Sequence, residues 1–218
     1  MRIIIFANGD LNDLDQVQHF LRSDDFVIAA DGGAKHCQAL GLVPDVIIGD
    51  FDSLEAPALD ALKQSGAQVF QHPRRKDYTD LELAIRHAIT LQPEETLILG
   101  ALGARWDQTL ANLLLPAAFP DQSVRLVDGQ QEIILVIGPG TRQLNGNPGD
   151  TVSLIPVQGH AHGIATLGLE YALHGETLFF GETRGISNVL ISDTASIGLE
   201  SGMLICVHIR LDSNPNSS

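Results

Sequence analysis

Six short apolar runs in the first 130 residues, at 2–6, 26–30, 45–48, 67–70, 96–100 and 124–128, each give way to polar or glycine-rich segments. Runs of this length bounded by such segments read as strands, and the β-branched Asp45-Val46-Ile47-Ile48 as a buried one. Between them the apolar spacing becomes helical. Leu14, Val17, Phe20 and Leu21 fall on one helical face, as do Leu54, Leu59 and Leu62, with Gly66 as a stop signal. Leu81, Ala84, Ile85, Ala88 and Ile89 form a third stripe, and Thr79-Asp80-Leu81-Glu82 marks its start as a capping-box pattern. A further helix is expected from about Asp107 until Pro116 bends or ends it. Strand–helix alternation implies a parallel or mixed sheet flanked by helices, an α/β arrangement.

From about Gln131 the pattern changes. Strand-like runs at 133–137, 151–155, 163–167, 177–180, 186–191 and 203–211 are separated by breaks at Pro139-Gly140, Asn145-Gly146-Asn147-Pro148-Gly149 and Glu200-Ser201-Gly202. No long helical stripe fits, and the expectation is an antiparallel β-sandwich or small barrel. Domains are therefore expected at 1–130 (α/β) and 131–212 (β-sandwich), with 213–218 as a tail.

The charge balance narrows the partners. With 13 basic and 27 acidic side chains the net charge is −14. That argues against nucleic-acid and anionic-membrane binding, which need a basic surface. The apolar start, Met1 to Phe6, is too short for a signal peptide, and no apolar run is long enough to span a membrane. A soluble, cytoplasmic protein is expected. Cys37 and Cys206 read as two buried thiols of a reducing compartment. No zinc-binding spacing occurs, and His160-Ala161-His162, in a glycine-rich stretch, reads as a solvated turn.

Sheets of the α/β kind gather ligands beyond the carboxyl ends of their strands. The acids and glycines fall there: Asn8-Gly9-Asp10, Asp31-Gly32-Gly33, Asp50 with Asp52, Lys76-Asp77-Tyr78-Thr79-Asp80, and Gly100 to Asp107. Asp50 and Asp52 point the same way if extended geometry continues past the strand. Carboxylates that close repel unless a cation joins them, and Mg²⁺ acts with substrate phosphates. Asp31, Asp50, Asp52, Asp77 and Asp80 together suit one or two Mg²⁺ ions on a polyphosphate. Glycines 9, 32, 33, 100 and 103 allow close backbone approach to phosphate or adenine. Neither the P-loop nor the dinucleotide fingerprint is present. Arg105 suits a phosphate with its planar fork, or a surface ion pair with Asp107; spacing does not separate the two. Arg74-Arg75-Lys76 either balances phosphate charge or forms a solvated turn.

Taken in order, these segments resemble the thiamine pyrophosphokinase family. The resemblance runs through Ala30-Asp31-Gly32-Gly33-Ala34, Pro44-Asp45, Gly49-Asp50-Phe51-Asp52-Ser53, Lys76 to Ala84 and Gly100 to Asn112. It continues through Gly149 to Pro156, Gly168-Leu169 and Gly185-Ile186-Ser187-Asn188. The family implies transfer of pyrophosphate from ATP to the hydroxyl of thiamine, giving thiamine diphosphate and AMP. By the resemblance the α/β half binds Mg-ATP, the β half shapes the thiamine pocket, and active sites lie between the subunits of a homodimer. Asp50 and Asp52 are then the expected Mg²⁺ ligands, with Asp31 and Asp77 as further ligands or supports. Asp77 is the first choice for the base that takes the hydroxyl proton. Arg105 completes the expected catalytic set. Asp31, Gly32, Thr79, Asp80, Gly103, Arg105, Asp107, Gln108 and Asn112 are the expected nucleotide-binding residues, and Ser187 and Asn188 those for thiamine.

Three positions depart from the family pattern. Its fifth-loop motif reads Gly-Gly-Arg-x-Asp-His, against Gly103-Ala104-Arg105-Trp106-Asp107-Gln108 here. Gln108 cannot carry a proton, so an acid–base role there is absent. Tyr171 stands where the family often has Trp, which predicts altered thiamine affinity without loss of function. Trp106, the sole tryptophan, falls in a predicted binding loop. Two other readings compete. A metal-dependent nucleotide hydrolase needs only the acid cluster, and a thiamine or nucleotide sensor keeps the pockets without chemistry.

Overall fold

A computed structural model, which describes residues 1–51, 64, 66–103 and 105–211, places the six apolar runs of the first half in one parallel arrangement. The strands are β1 (Arg2–Phe6), β2 (Phe26–Ala30), β3 (Val46–Gly49), β4 (Gln68–Gln71), β5 (Glu95–Leu99) and β6 (Val124–Asp128). They lie in the order β6-β5-β1-β2-β3-β4, every neighbouring pair parallel. Ile3, Ile4, Ile5 and Phe6 are all fully buried, as a strand covered on both faces requires. On one face Ile4, Phe6, Val27, Ala29, Ile47, Leu97 and Leu99 meet Val17 of α1 (Leu14–Phe20) and Cys37 of α2 (Ala34–Ala39). Alternate strand residues turn to the other face, where α3 (Asp80–Thr90) packs over β1, β2 and β3. Leu81, Ala84, Ile85 and Ala88 are its buried stripe. The helix expected over Leu54, Leu59 and Leu62 lies outside the described residues.

Helix α3 starts as its sequence predicts, with half of a capping box. Thr79 Oγ1 accepts the Glu82 N–H at 3.2 Å, while the Glu82 carboxylate turns to Arg86 instead of back to Thr79. Helix α4 (Trp106–Leu114) runs into a 3-10 turn, Leu115–Ala118, at Pro116. Helix α2 had no sequence signal, because Asp31-Gly32-Gly33 reads as a loop. Those glycines let it sit close. A Cβ on Gly33 would lie 2.0 Å from the Phe6 carbonyl oxygen, a core backbone atom that cannot yield. Gly33→Ala is expected to lower stability by about 1–3 kcal/mol, read as a lower thermal midpoint. An unchanged midpoint would mean that α2 can lift from β1 freely.

The chain divides into two units, Met1–Gly129 and Gln130–Ser218. In the second, β7 (Gln131–Ile137), β9 (Thr151–Pro156), β12 (Asn188–Val189) and β14 (Met203–Ile209) form an antiparallel set ordered β12-β9-β14-β7. The second sheet is β11-β10-β13-β8, made from β8 (Gly140–Asn145), β10 (Ala161–Leu167), β11 (His174–Leu178) and β13 (Thr194–Leu199). Val136, Leu154, Leu204 and Cys206 of the first set share a core with Leu144, Ile164, Ile197 and Leu199 of the other. This is the expected antiparallel sandwich.

Strands β8 and β13 correct the sequence reading, which took Pro139-Gly140 as a break and found no strand at 194–199. Only Leu144 of β8 is buried, so an edge strand that is nearly all polar gave no apolar run. In β13, Ala195, Ile197 and Leu199 do alternate inward, with Ser196 and Gly198 between them. His162 lies on β10 instead of in a turn, its ring 6.2 Å from that of His160.

One buried polar cluster anchors the second unit. Asp150 is wholly buried, and its Oδ2 accepts from Asn147 N and His208 Nε2, each at 2.9 Å. Its Oδ1 accepts from Leu211 N at 2.9 Å. Both cysteines are buried and unbonded, and burial pushes each thiol up to about 12. No described helix is long and apolar enough to cross a membrane.

Candidate functional site

The strand order reverses between β1 and β5: the chain moves outward from β1 to β4 on one side and from β5 to β6 on the other. Ligands of open α/β sheets bind at such a switch point, outside the carboxyl ends. Here the loops after β1 and β5 are joined by backbone hydrogen bonds. Gly9 N–H reaches Gly100 O at 2.7 Å, and Asp10 N–H reaches Leu102 O at 2.9 Å. His36, 8% exposed, donates Nε2–H to Gly9 O at 3.0 Å, and burial lowers its pKa. Gly103 has φ +87°, and a Cβ there would lie 2.3 Å from Asp10 Oδ2. The contacts these glycines permit are with the chain's own loops.

Over this floor is a cavity of about 430 Å³. Asp31 enters it from the end of β2, Thr79 and Asp80 from the start of α3. Gly103, Arg105, Asp107, Gln108 and Asn112 enter from the loop after β5 and from α4. Eight residues expected at a nucleotide site thus line one cavity. Gly32 is not in its lining; a Cβ there would lie 2.1 Å from Asn8 Oδ1. Asn8, placed by the sequence at this edge of the sheet but not among the expected nucleotide-binding residues, does line it.

Asp31 is the unusual member. It takes φ +46°, a left-handed conformation that Asp and Asn tolerate better than most residues. Its Oδ1 is buried with no hydrogen-bond partner among the described residues. Burial raises its pKa most, the charges of Asp80 and Asp50 add to this, and the Gly32 N–H and Lys76 oppose it. A Cβ on Gly49 would lie 3.2 Å from that Oδ1, so the end of β3 closes over the carboxylate. A buried carboxylate with one unbonded oxygen, beside two more carboxylates, is a cluster that a hard cation would relieve.

The other expected ligands differ in placement. Asp50 is half-buried next to Asp31, and Asp52 lies outside the described residues. Asp77 is exposed and does not line the cavity. Among the described residues no three acidic, histidine or cysteine side chains form a complete ligand set. Lys76 bonds Asp80, which lines the cavity, at 2.5 Å with both side chains largely buried.

Arg105 and Asp107 form the surface pair that spacing allowed, Nη2 to Oδ2 at 2.5 Å, with both side chains about two-thirds exposed. A pair so exposed is worth little, and both residues line the cavity. The ion pair therefore does not oppose a phosphate role for Arg105. Asn112 Nδ2 donates to Ala101 O at 2.6 Å. Trp106 is 81% exposed, and Ala104 lies outside the described residues.

The second unit holds a separate pocket of about 290 Å³, lined by Tyr171, Leu173, Arg184, Gly185 and Asn188 among others. Ser187 does not line it; its φ is +59°, and its N–H bonds Ser153 Oγ at 3.0 Å.

Comparison with known proteins agrees with this arrangement. A model of the thiamin pyrophosphokinase catalytic domain matches residues 17–127, and one of the thiamin pyrophosphokinase vitamin B1 binding domain matches 141–204. The thiamine pyrophosphokinase of Bacillus subtilis is 28% identical over 94% of this chain and 97% of its own. Thiamin pyrophosphokinase 1 of Caenorhabditis elegans is 24% identical over 97% and 90%. The crystal structure of the Bacillus subtilis enzyme superposes with a TM-score of 0.86 over 96% of this chain and 99% of its own, at 28% identity. That of the Geobacillus thermodenitrificans thiamin pyrophosphokinase gives 0.85 over 98% and 99%, at 26%.

Proposed function

Since the chain belongs to the thiamin pyrophosphokinase family, we propose a division of its reaction between the two units. The activity is transfer of a pyrophosphoryl group from ATP to the hydroxyl of thiamine. The thiamine oxygen bonds to the β-phosphorus, the bond from that phosphorus to the α-bridging oxygen breaks, and AMP leaves. The first unit holds the nucleotide in the cavity at the strand switch point. The observation that carries this reading is the buried, unpartnered Asp31 oxygen among neighbouring carboxylates.

Asp31, Asp50, Asp52 and Asp77 are the residues that would hold Mg²⁺, whose charge offsets that of the polyphosphate when bound. Thr79, Asp80, Gly103, Gln108 and Asn112 orient the nucleotide, with Gly32 shaping the turn beneath it. Arg105 leaves Asp107 for a phosphate oxygen and stabilises charge that develops on transfer. Asp77, exposed and so free to approach a substrate, accepts the hydroxyl proton. Ser187 and Asn188 shape the thiamine pocket of the second unit, and Tyr171 offers it an aromatic face. We place the enzyme in the cytoplasm as a homodimer with active sites between subunits. Exposed Phe179, Phe180 and Ile186 support an interface on the second unit, and the −14 charge disfavours nucleic acid and membrane surfaces.

Product analysis with Mg-ATP, with and without thiamine, tests this. Equal amounts of AMP and thiamine diphosphate are expected, only with both substrates and only before chelation of the metal. ADP or phosphate formed without thiamine would identify a hydrolase; saturable thiamine binding without turnover would identify a sensor.

A further inference from the structure

Asn188 is 9% exposed, and almost all of its hydrogen-bonding capacity is spent within the chain. Its Oδ1 accepts from Tyr171 N at 3.0 Å and from Val189 N at 2.9 Å. Its Nδ2 donates to Tyr171 O at 2.8 Å. Both main-chain groups of Tyr171 therefore end on one side chain. A carboxamide has two acceptor sites and two donors, so a single N–H is left for any other partner.

The surrounding backbone shows why this clamp matters. Residues 168–171 run beside 188–191, tied by Glu170 N to Val189 O at 2.9 Å and Ile191 N to Gly168 O at 3.0 Å. Tyr171 lies where that ladder ends, and among the described residues no backbone–backbone hydrogen bond to it is seen. Tyr171, which lines the 290 Å³ pocket, is 66% exposed, so packing does little to aim its ring. What directs the ring is the peptide on either side of Tyr171, and what directs that peptide is Asn188.

We propose that Asn188 is a positioning residue: it serves thiamine binding by fixing Tyr171 over the pocket, not by touching the substrate. The inference rests on reading this pocket as the thiamine site. A flat aromatic face suits a flat heteroaromatic cation, which it attracts through the ring quadrupole. An aromatic ring held only by its own torsions loses part of that gain to ordering.

Steady-state kinetics of the full-length wild type, Asn188→Asp, Tyr171→Ala and the double variant decide the matter. Asp at 188 keeps an acceptor for Tyr171 N but has no N–H for Tyr171 O. KM for thiamine is expected to rise about tenfold in each single variant and no further in the double one, as coupled residues require. KM for ATP should stay within about twofold, which a general loss of structure would not spare. Independent effects that multiply to about a hundredfold would show that Asn188 contacts thiamine itself and would overturn the proposal. An unchanged thiamine KM in Asn188→Asp would overturn it too. If Asn188→Asp does not fold, as judged by its thermal midpoint, Asn188→Ser enters the same cycle. A wild type that forms no thiamine diphosphate would overturn the functional reading first, and the proposal with it.

Discussion

Asp31→Asn is expected to lower turnover by about a hundredfold or more and, at the same time, to raise the thermal midpoint. The two effects share one cause. Asp31 Oδ1 is buried without a partner, and the negative charges of Asp50 and Asp80 act on it. In the absence of a cation the folded chain bears an unfavourable charge there. Asn has nearly the same shape, tolerates the left-handed backbone at φ +46°, and removes the charge. The fold gains; the proposed metal site loses an anionic ligand. Removal of partners that merely orient metal ligands already costs 10–100-fold in affinity or activity, and loss of a ligand should exceed this. The comparison is turnover across a Mg²⁺ titration, together with melting in the absence of added metal. Full turnover at low Mg²⁺ would remove Asp31 from the metal site. A lower midpoint would show that its charge is already compensated in the metal-free protein.

The second large effect is structural. Asp150→Ala should destabilise the protein by about 3–5 kcal/mol, because it strands the buried His208 ring and takes the acceptor from the Asn147 and Leu211 N–H groups. His208 is 2% exposed and Asp150 fully buried, so water cannot replace the lost acceptor without opening the structure. The pH dependence follows from the direction of the Asp150 shift. Burial, the largest single influence, pushes its pKa up, but the N–H groups of Asn147 and Leu211 and the His208 ring together hold it below the ordinary value. A carboxyl with a depressed folded pKa contributes stability above its unfolded value, about 3.9, and loses that contribution as pH falls through the folded one. The stability gap between wild type and Asp150→Ala, measured by denaturant titration, should be constant near neutrality and narrow below about pH 4. A gap that is small at pH 7 would mean that the buried network is replaceable by packing.

What the amino-acid sequence disclosed depended on whether a residue's role was local. The inner strands of the first half were legible because both faces are buried, as at Ile3–Phe6 and Val46–Ile48, and nearly every residue in those runs is apolar. Helix α3 was legible because its stripe and its Thr79 cap lie within one stretch of chain. Strand β8 was not, since a polar edge strand is defined by its partner β13, some fifty residues later, and not by its own composition. The same holds for the two candidate sites. The acids and Arg105 could be proposed from chemistry that the residue types possess. The engagement of Asn188 by Tyr171 could not, because those residues are 17 apart and meet only when two strands align. The Arg105–Asp107 pair shows an intermediate case, in which proximity in sequence permitted the pair but left its purpose open.

Strand β14 has a consequence for how the polypeptide is made. It spans Met203–Ile209, yet it is an interior strand, hydrogen-bonded to β7 on one side and β9 on the other. Synthesis proceeds from the amino terminus, so β7 and β9 leave the ribosome with the place between them still vacant. The first unit has all its strands by Asp128 and can fold while translation continues. The second must wait with apolar edges uncovered until residue 209 has emerged. That interval, more than any property of the finished enzyme, is when a nascent chain of this design most needs protection from its neighbours.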